Sequence, residues 1–170
     1  MRYVWVLLLC GTATAENILV VGDSYSRYLA DAQMGGPVLQ EIRDAGHDVR
    51  IEFRNKGCEC GTNGGAMLTI LDNLDCLDFE WADRVVLMAG YWDANPKRRM
   101  DFGAADKAQR TERAEAIRQS WESRKRDGAE FHWLDTWDWA KRGESEGFLF
   151  DDRHVTEHGY RLMLKSIGLL

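Results

Sequence analysis

Apolar residues follow two different spacings along the chain. Continuous apolar runs at 17–21 and 85–88 predict fully buried strands, the first of them central in a parallel sheet. Over 48–54, apolar and charged residues alternate, which predicts a half-buried strand nearer the sheet edge. Further strands are predicted at 131–134 and 148–150. The sheet therefore draws on the whole length of the chain.

Between these strands, apolar residues recur three and four positions apart, as on one face of a helix. The predicted helices span 26–34, 38–44, 66–74, 104–126 and 156–167. Residues 91–103 are expected to form a long loop, and 135–147 an irregular, aromatic segment. Strands that alternate with helices indicate an α/β domain with a mostly parallel sheet covered on both faces.

Candidate chemistry falls where the predicted strands end. Ser24 follows the first strand, Gly61 lies in a glycine-rich loop, and the stretch from Gly90 follows the 85–88 strand. A turn from Asp151 to His154 precedes the last helix. Because ligands bind at the carboxyl ends of parallel strands, these residues are expected to meet at one edge.

Three of these residues supply the parts of a nucleophilic site. The hydroxyl of Ser24 needs a base, and His154 can provide it. The carboxylate of Asp151 can bond to the other nitrogen of the histidine ring and so fix its tautomer. Gly22 permits a sharp turn before Ser24, and the amides of the following helix favour an oxyanion. The inventory predicts a hydrolase.

The first fifteen residues differ from the rest. Arg2, an apolar run over 3–10 and the triplet Ala13-Thr14-Ala15 are typical of a secretory signal peptide cut before Glu16. An uncleaved anchor and a buried helix are the alternatives, although the run is too short to span a bilayer. We therefore expect a signal peptide at 1–15, a single domain at 16–170, and a secreted or periplasmic protein without stable membrane insertion.

Composition and charge limit the classes of binding partner that are expected. The net charge is −6, and no basic block is interleaved with aromatic residues, so a nucleic-acid partner is not expected. In an oxidising compartment Cys76 can pair with Cys58 or Cys60. The single residue between Cys58 and Cys60 is not the spacing of common zinc knuckles, so no metal is expected.

At its two ends the mature chain resembles the SGNH or GDSL hydrolases. The run Gly22-Asp23-Ser24-Tyr25-Ser26 looks like the G-D-S-x-S block of that family, and Asp151-Asp152-Arg153-His154 looks like its D-x-x-H block. The resemblance implies a flavodoxin-like three-layer α/β/α sandwich with about five mostly parallel strands. It also implies a serine esterase with Ser24 as nucleophile, His154 as base and Asp151 as its orienting partner.

The two middle blocks of the family resemble this chain less closely. Gly61 is the better match, before Gly57, for the glycine whose amide joins that of Ser24 in the oxyanion hole. In the third block, G-x-N-D, Trp92 stands where the family has an oxyanion-binding Asn. An indole N–H can donate, and Asn63 or Asn95 are alternative donors. Substrate contacts are expected from Asp23, Tyr91, Trp92 and Asp93.

A G-D-S-x-x-R variant ending at Arg27 is similar to the PC-esterase-like branch, which acts on acetyl groups of sugars. The cluster of Trp133, Trp137 and Trp139 suits either a sugar platform or core packing. The sequence thus predicts a monomeric, cofactor-free esterase for a small-molecule or glycan ester. The alternatives are an O-acyltransferase and, because of Trp92, a degenerate glycan-binding member.

Overall fold

The structure, a computed structural model, describes residues 14–52, 67–95 and 104–170. Within these ranges four parallel strands form one sheet in the order β2-β1-β3-β4. The strands are β1 (Asn17–Gly22), β2 (Asp48–Glu52), β3 (Arg84–Ala89) and β4 (Glu130–Asp135). The predicted interior position of the first strand and the edge position of the second are confirmed.

Seven α-helices occur in the described ranges, together with a 3-10 helix at Leu74–Cys76. The helices are α1 (Ser24–Tyr28), α2 (Gly36–Asp44), α3 (Met67–Leu71), α4 (Tyr91–Ala94), α5 (Lys107–Glu122), α6 (Thr136–Glu146) and α7 (Glu157–Lys165). Strands and helices therefore alternate over most of the chain, as the apolar spacing predicted.

Successive residues of the central strands pack on opposite faces of the sheet, because side chains alternate along a strand. Ile18 and Val20 belong to one buried cluster, to which α2, α6 and α7 contribute. Leu19 and Val21 belong to a second cluster, to which α3 and α5 contribute. Helices thus cover both faces, and the architecture is α/β.

The strand register brings three strand ends to the same level. Gly22 of β1 pairs with Met88 of β3, and Ala89 of β3 pairs with Asp135 of β4. The connections that leave β1, β3 and β4 therefore start side by side. This edge carries the candidate site.

The described residues form four sheet strands and not about five, because the predicted strand at 148–150 joins no sheet. Leu149 instead makes an isolated antiparallel bridge to Val155. The amide of Phe150 donates to the carbonyl oxygen of His154 at 2.7 Å, which closes a tight turn. Phe148 is buried in the cluster that contains α7, so its apolar character reflects helix packing.

The expectation of an irregular segment at 135–147 is wrong, because these residues form α6. The Asp135 carboxylate caps the helix by accepting from the Trp137 amide, and Gly147, at a φ of 77°, ends it in the left-handed conformation. The loop expected at 91–103 begins instead with helix α4, and residues 96–103 lie outside the described ranges.

Two further sequence expectations meet the structure only in part. Cys76 is disulfide-bonded, and since Cys58 and Cys60 lie outside the described residues, the choice of partner stays a prediction. No helix in the described part of the chain is both long enough and apolar enough to cross a bilayer.

Candidate active site

Ser24, His154 and Asp151 form one continuous chain of hydrogen bonds, although 130 residues separate the serine from the histidine. The Ser24 hydroxyl donates to His154 Nε2 at 2.8 Å, and His154 Nδ1 donates to Asp151 Oδ2 at 2.7 Å. With its proton on Nδ1, the ring presents a lone pair to the serine. The group can therefore transfer a proton from oxygen to imidazole.

The turn that carries His154 is organised by the Asp151 carboxylate. Its Oδ1 atom accepts from the backbone amides of Arg153 at 2.8 Å and of His154 at 2.7 Å. Partial burial opposes ionisation of Asp151, but the bonds from the His154 side chain and these amides outweigh it and lower its pKa. Asp151 is thus held as the anion that can stabilise an imidazolium.

Tyrosines fix the same turn from the side of the nucleophile. The Tyr25 hydroxyl donates to the carbonyl oxygen of Arg153, and the Tyr160 hydroxyl donates to the carbonyl oxygen of Tyr25 at 2.8 Å. Tyr28 packs edge-on against the His154 ring, with the centroids 4.4 Å apart. These contacts were not predicted, although Tyr25 and Tyr28 stand three apart in the sequence and so share a helix face.

The nucleophile lies on a turn that only glycine allows. Gly22 has a φ of 156°, and a Cβ atom there would lie 1.9 Å from the carbonyl oxygen of Met88. The amide of the next residue, Asp23, donates to that same oxygen at 2.9 Å. Ser24 then takes the first position of α1, where a backbone amide has no acceptor within the helix. Its amide can serve an oxyanion.

Asp23, which was predicted to contact substrate, is fully buried and has no surface that faces solvent. Its Oδ1 atom caps α1 by accepting from the Tyr25 amide at 2.9 Å, and its Oδ2 atom accepts from the Thr136 hydroxyl at 2.6 Å. Burial raises the pKa of Asp23 to about 7, although these two hydrogen bonds lower it and the charge of Asp93 adds to the rise. The contact with substrate stays a prediction.

Asp93 is also buried, and both of its carboxylate oxygens are engaged. One accepts from an Arg113 guanidinium nitrogen at 2.7 Å, and the other accepts from the Met67 amide at 3.0 Å. These bonds connect the start of α3, the end of α4 and the middle of α5. The structure gives Asp93 an anchoring role, and its predicted contact with substrate is not tested.

The remaining predicted residues lie near the end of β3. Tyr91 is almost buried, and its ring packs edge-on against Trp92 at 6.2 Å and tilted against Trp137 at 5.6 Å. Trp92 is half-buried on α4. Gly61 lies outside the described residues. Of the predicted oxyanion donors, the geometry therefore describes the Ser24 amide, and the roles of Gly61 and Trp92 stay predictions.

Thr136 is a further residue of this edge that was not predicted from the sequence. It is fully buried, follows β4 directly, and joins Asp23 to the backbone amide of Tyr91. The feature of the sequence that could have indicated it is a short polar residue directly after a strand, at the same sheet edge as Ser24 and Gly90. The described residues contain no cluster of His, Cys, Asp and Glu suited to a metal ion.

Comparison with known proteins adds no assignment: no family model, curated protein or solved structure matches this chain. The likeness to SGNH or GDSL hydrolases therefore depends on the two end motifs and on the site that they form together. The class that the fold and the site define directly is an α/β protein with a Ser-His-Asp hydrogen-bond chain at its sheet edge.

Proposed function

We propose that this protein is a secreted serine esterase of the SGNH or GDSL type, which hydrolyses a carboxylic ester through an acyl-enzyme on Ser24. The observation that carries the proposal is the hydrogen-bond chain from Ser24 Oγ through His154 to Asp151, with links of 2.8 and 2.7 Å. The flavodoxin-like three-layer fold of that family is part of the proposal.

The reaction follows from the proton positions. Ser24 Oγ attacks the carbonyl carbon while its proton moves to His154 Nε2, and Asp151 stabilises the imidazolium through Nδ1. The imidazolium then protonates the leaving alcohol as the ester C–O bond breaks, which leaves the acyl group on Ser24. A water molecule, deprotonated by His154, attacks this acyl-enzyme, and the acid leaves as Ser24 recovers its proton.

The tetrahedral intermediates carry a negative oxygen that needs donors. The Ser24 amide at the start of α1 is one, and the amide of Gly61 is the second in this proposal. A missing donor can cost roughly 10²–10³ in rate. Trp92 in place of the family's Asn is therefore the feature that favours the second candidate, a glycan-binding protein without turnover.

The substrate is proposed to be an ester with an accessible alcohol part, including O-acetyl groups on a glycan. The Asp151 side chain is 39% exposed and that of His154 is 7% exposed, so the catalytic turn lies at the surface. The half-buried rings of Trp92 and Trp137 flank Tyr91 nearby. The disulfide at Cys76 supports an oxidising, secreted or periplasmic location.

The test compares the wild type with Ser24→Ala in turnover of p-nitrophenyl acetate. The matched control is Ser145→Ala, which removes an exposed hydroxyl on α6 that donates to the Arg142 carbonyl oxygen of the same helix. We expect turnover in the wild type and the control, and loss of turnover in Ser24→Ala with an unchanged circular dichroism spectrum. Equal turnover in Ser24→Ala would refute the assignment. A glycan acceptor added to the same assay separates acyl transfer from hydrolysis.

A further inference from the structure

One buried hydroxyl connects three strand ends of the sheet. Thr136 Oγ1 donates to Asp23 Oδ2 at 2.6 Å and accepts from the Tyr91 amide at 2.9 Å. Asp23 follows β1, Tyr91 follows β3 by two residues, and Thr136 follows β4. The side chain of Thr136 has no exposed surface, so water does not replace either bond.

The connection leads directly to the nucleophile. The carboxylate of Asp23 holds Thr136 with one oxygen and the Tyr25 amide with the other, and Ser24 lies between Asp23 and Tyr25 in the chain. A shift of Thr136 therefore moves the turn on which Ser24 lies. On its other side, Thr136 holds the first residue of α4, next to Trp92.

The close approach of these turns leaves little room for another side chain. Gly90 has a φ of 136°, and a Cβ atom there would lie 2.4 Å from the Asp135 carboxylate. The turns after β3 and β4 are thus in contact, and the Thr136 hydroxyl closes the gap to β1. A hydroxyl can donate once and accept at the same time, which valine cannot do.

We propose that Thr136 is a positioning residue, whose hydroxyl holds the Ser24 turn and the Tyr91 turn at one fixed separation for catalysis. This rests on the proposed function, because the reaction gives the separation its importance. Thr136 touches no reacting atom. It acts through Asp23 on the nucleophile Ser24, and through the Tyr91 amide on the start of α4, where Trp92 lies.

The experiment compares Thr136→Val, which keeps the shape and removes the hydroxyl, with Thr136→Ser, which keeps the hydroxyl. Thr111→Val is the matched control, since Thr111 is exposed on α5 and its hydroxyl donates to the Lys107 carbonyl oxygen of the same helix. Thr136→Ala replaces Thr136→Val if the latter does not fold. The readouts are kcat and KM for p-nitrophenyl acetate and native-state hydrogen exchange at the Tyr91 amide.

Because a displacement of about 1 Å can cost about 10²-fold in rate, we expect kcat of Thr136→Val to fall about 10- to 100-fold, with KM changed by less than about 3-fold. Thr136→Ser is expected to recover kcat to within about 3-fold of the wild type, and Thr111→Val to match it. Exchange of the Tyr91 amide should accelerate in Thr136→Val alone.

Two results would overturn this assignment of Thr136. One is wild-type kcat in a folded Thr136→Val protein, and the other is an equal loss of kcat in Thr136→Ser and Thr136→Val. A wild type without any turnover would remove the proposed function instead. In that case the exchange of the Tyr91 amide still decides whether the hydroxyl holds this turn, because it requires no activity.

Discussion

The buried carboxylate of Asp23 makes a quantitative prediction about stability and pH. Asp23 has no exposed surface, and burial raises its pKa from the ordinary 3.8 to about 7 in the folded protein. In the unfolded chain the same group is solvated and ionises near its ordinary value. The substitution Asp23→Asn removes the ionisation and keeps a side-chain oxygen that can accept from the Tyr25 amide.

The sign follows from proton counting. Below pH 3.8 both states hold the Asp23 proton, and the group costs no stability. Between pH 3.8 and about 7 the unfolded chain releases the proton while the folded protein keeps it, so the free energy of unfolding falls as the pH rises. Above pH 7 both states are ionised. At 1.36 kcal/mol per pKa unit, the total loss is about 4 kcal/mol.

The assay is urea unfolding of the wild type and Asp23→Asn at several pH values from 4 to 8. The difference in unfolding free energy between the two proteins cancels the other titrating groups. We expect this difference to shift by about 4 kcal/mol in favour of the variant as the pH rises from 4 to 8. Asp127→Asn, the same change at an exposed position, is the control.

A difference between wild type and Asp23→Asn that is the same at pH 4 and pH 8 would refute this reasoning. It would mean that Asp23 ionises in the folded protein as readily as in water.

Two further predictions concern stability. Gly22→Ala should lower the free energy of unfolding by about 3 kcal/mol or more, because Gly22 has a positive φ and a Cβ atom there would lie 1.9 Å from the Met88 carbonyl oxygen. Thermal denaturation measures this loss, and an unchanged Tm would contradict the prediction. Arg113→Leu should cost about 3 kcal/mol, because it removes the guanidinium that pairs with the buried Asp93 side chain and leaves, among the described residues, the bond from the Met67 amide. Asp93→Asn in the same chain should recover part of the loss in urea unfolding. Equal losses in the single and double variants would contradict this prediction.

The sequence was sufficient for the four strands of the sheet and for the meeting of the two end motifs. Continuous apolar runs indicate buried parallel strands, and the carboxyl ends of such strands share an edge, so Ser24 and His154 were expected to approach each other. The edge position of β2 followed from its alternating charges. These features depend on local periodicity, which a single sequence shows directly.

The wrong predictions concern segments whose secondary structure depends on tertiary packing. In 135–147 two tryptophans stand two apart and Gly143 interrupts the apolar spacing, so the sequence showed no helical face. In the structure a Cβ atom on Gly143 would come within 2.6 Å of Leu149, and α6 therefore needs a small residue there. The run at 148–150 is apolar because Phe148 packs under α7. Apolar residues alone do not distinguish a strand from such a packed turn.

Thr136 could not be assigned from the sequence for a different reason. Its partners, Asp23 and the Tyr91 amide, lie 113 and 45 residues away, and only the strand order brings them together. Many polar residues follow strands in this chain, and the pattern does not say which of them turn inward. The buried network therefore emerged only with the structure.

The proton relay from Ser24 to His154 is tested most directly by a fluorophosphonate probe, with the labelled residue located by mass spectrometry. The account predicts one adduct on Ser24 in the wild type, and labelling at least about 10²-fold slower in His154→Ala, because the base is lost. Absence of an adduct on Ser24, or labelling of His154→Ala at the wild-type rate, would contradict it.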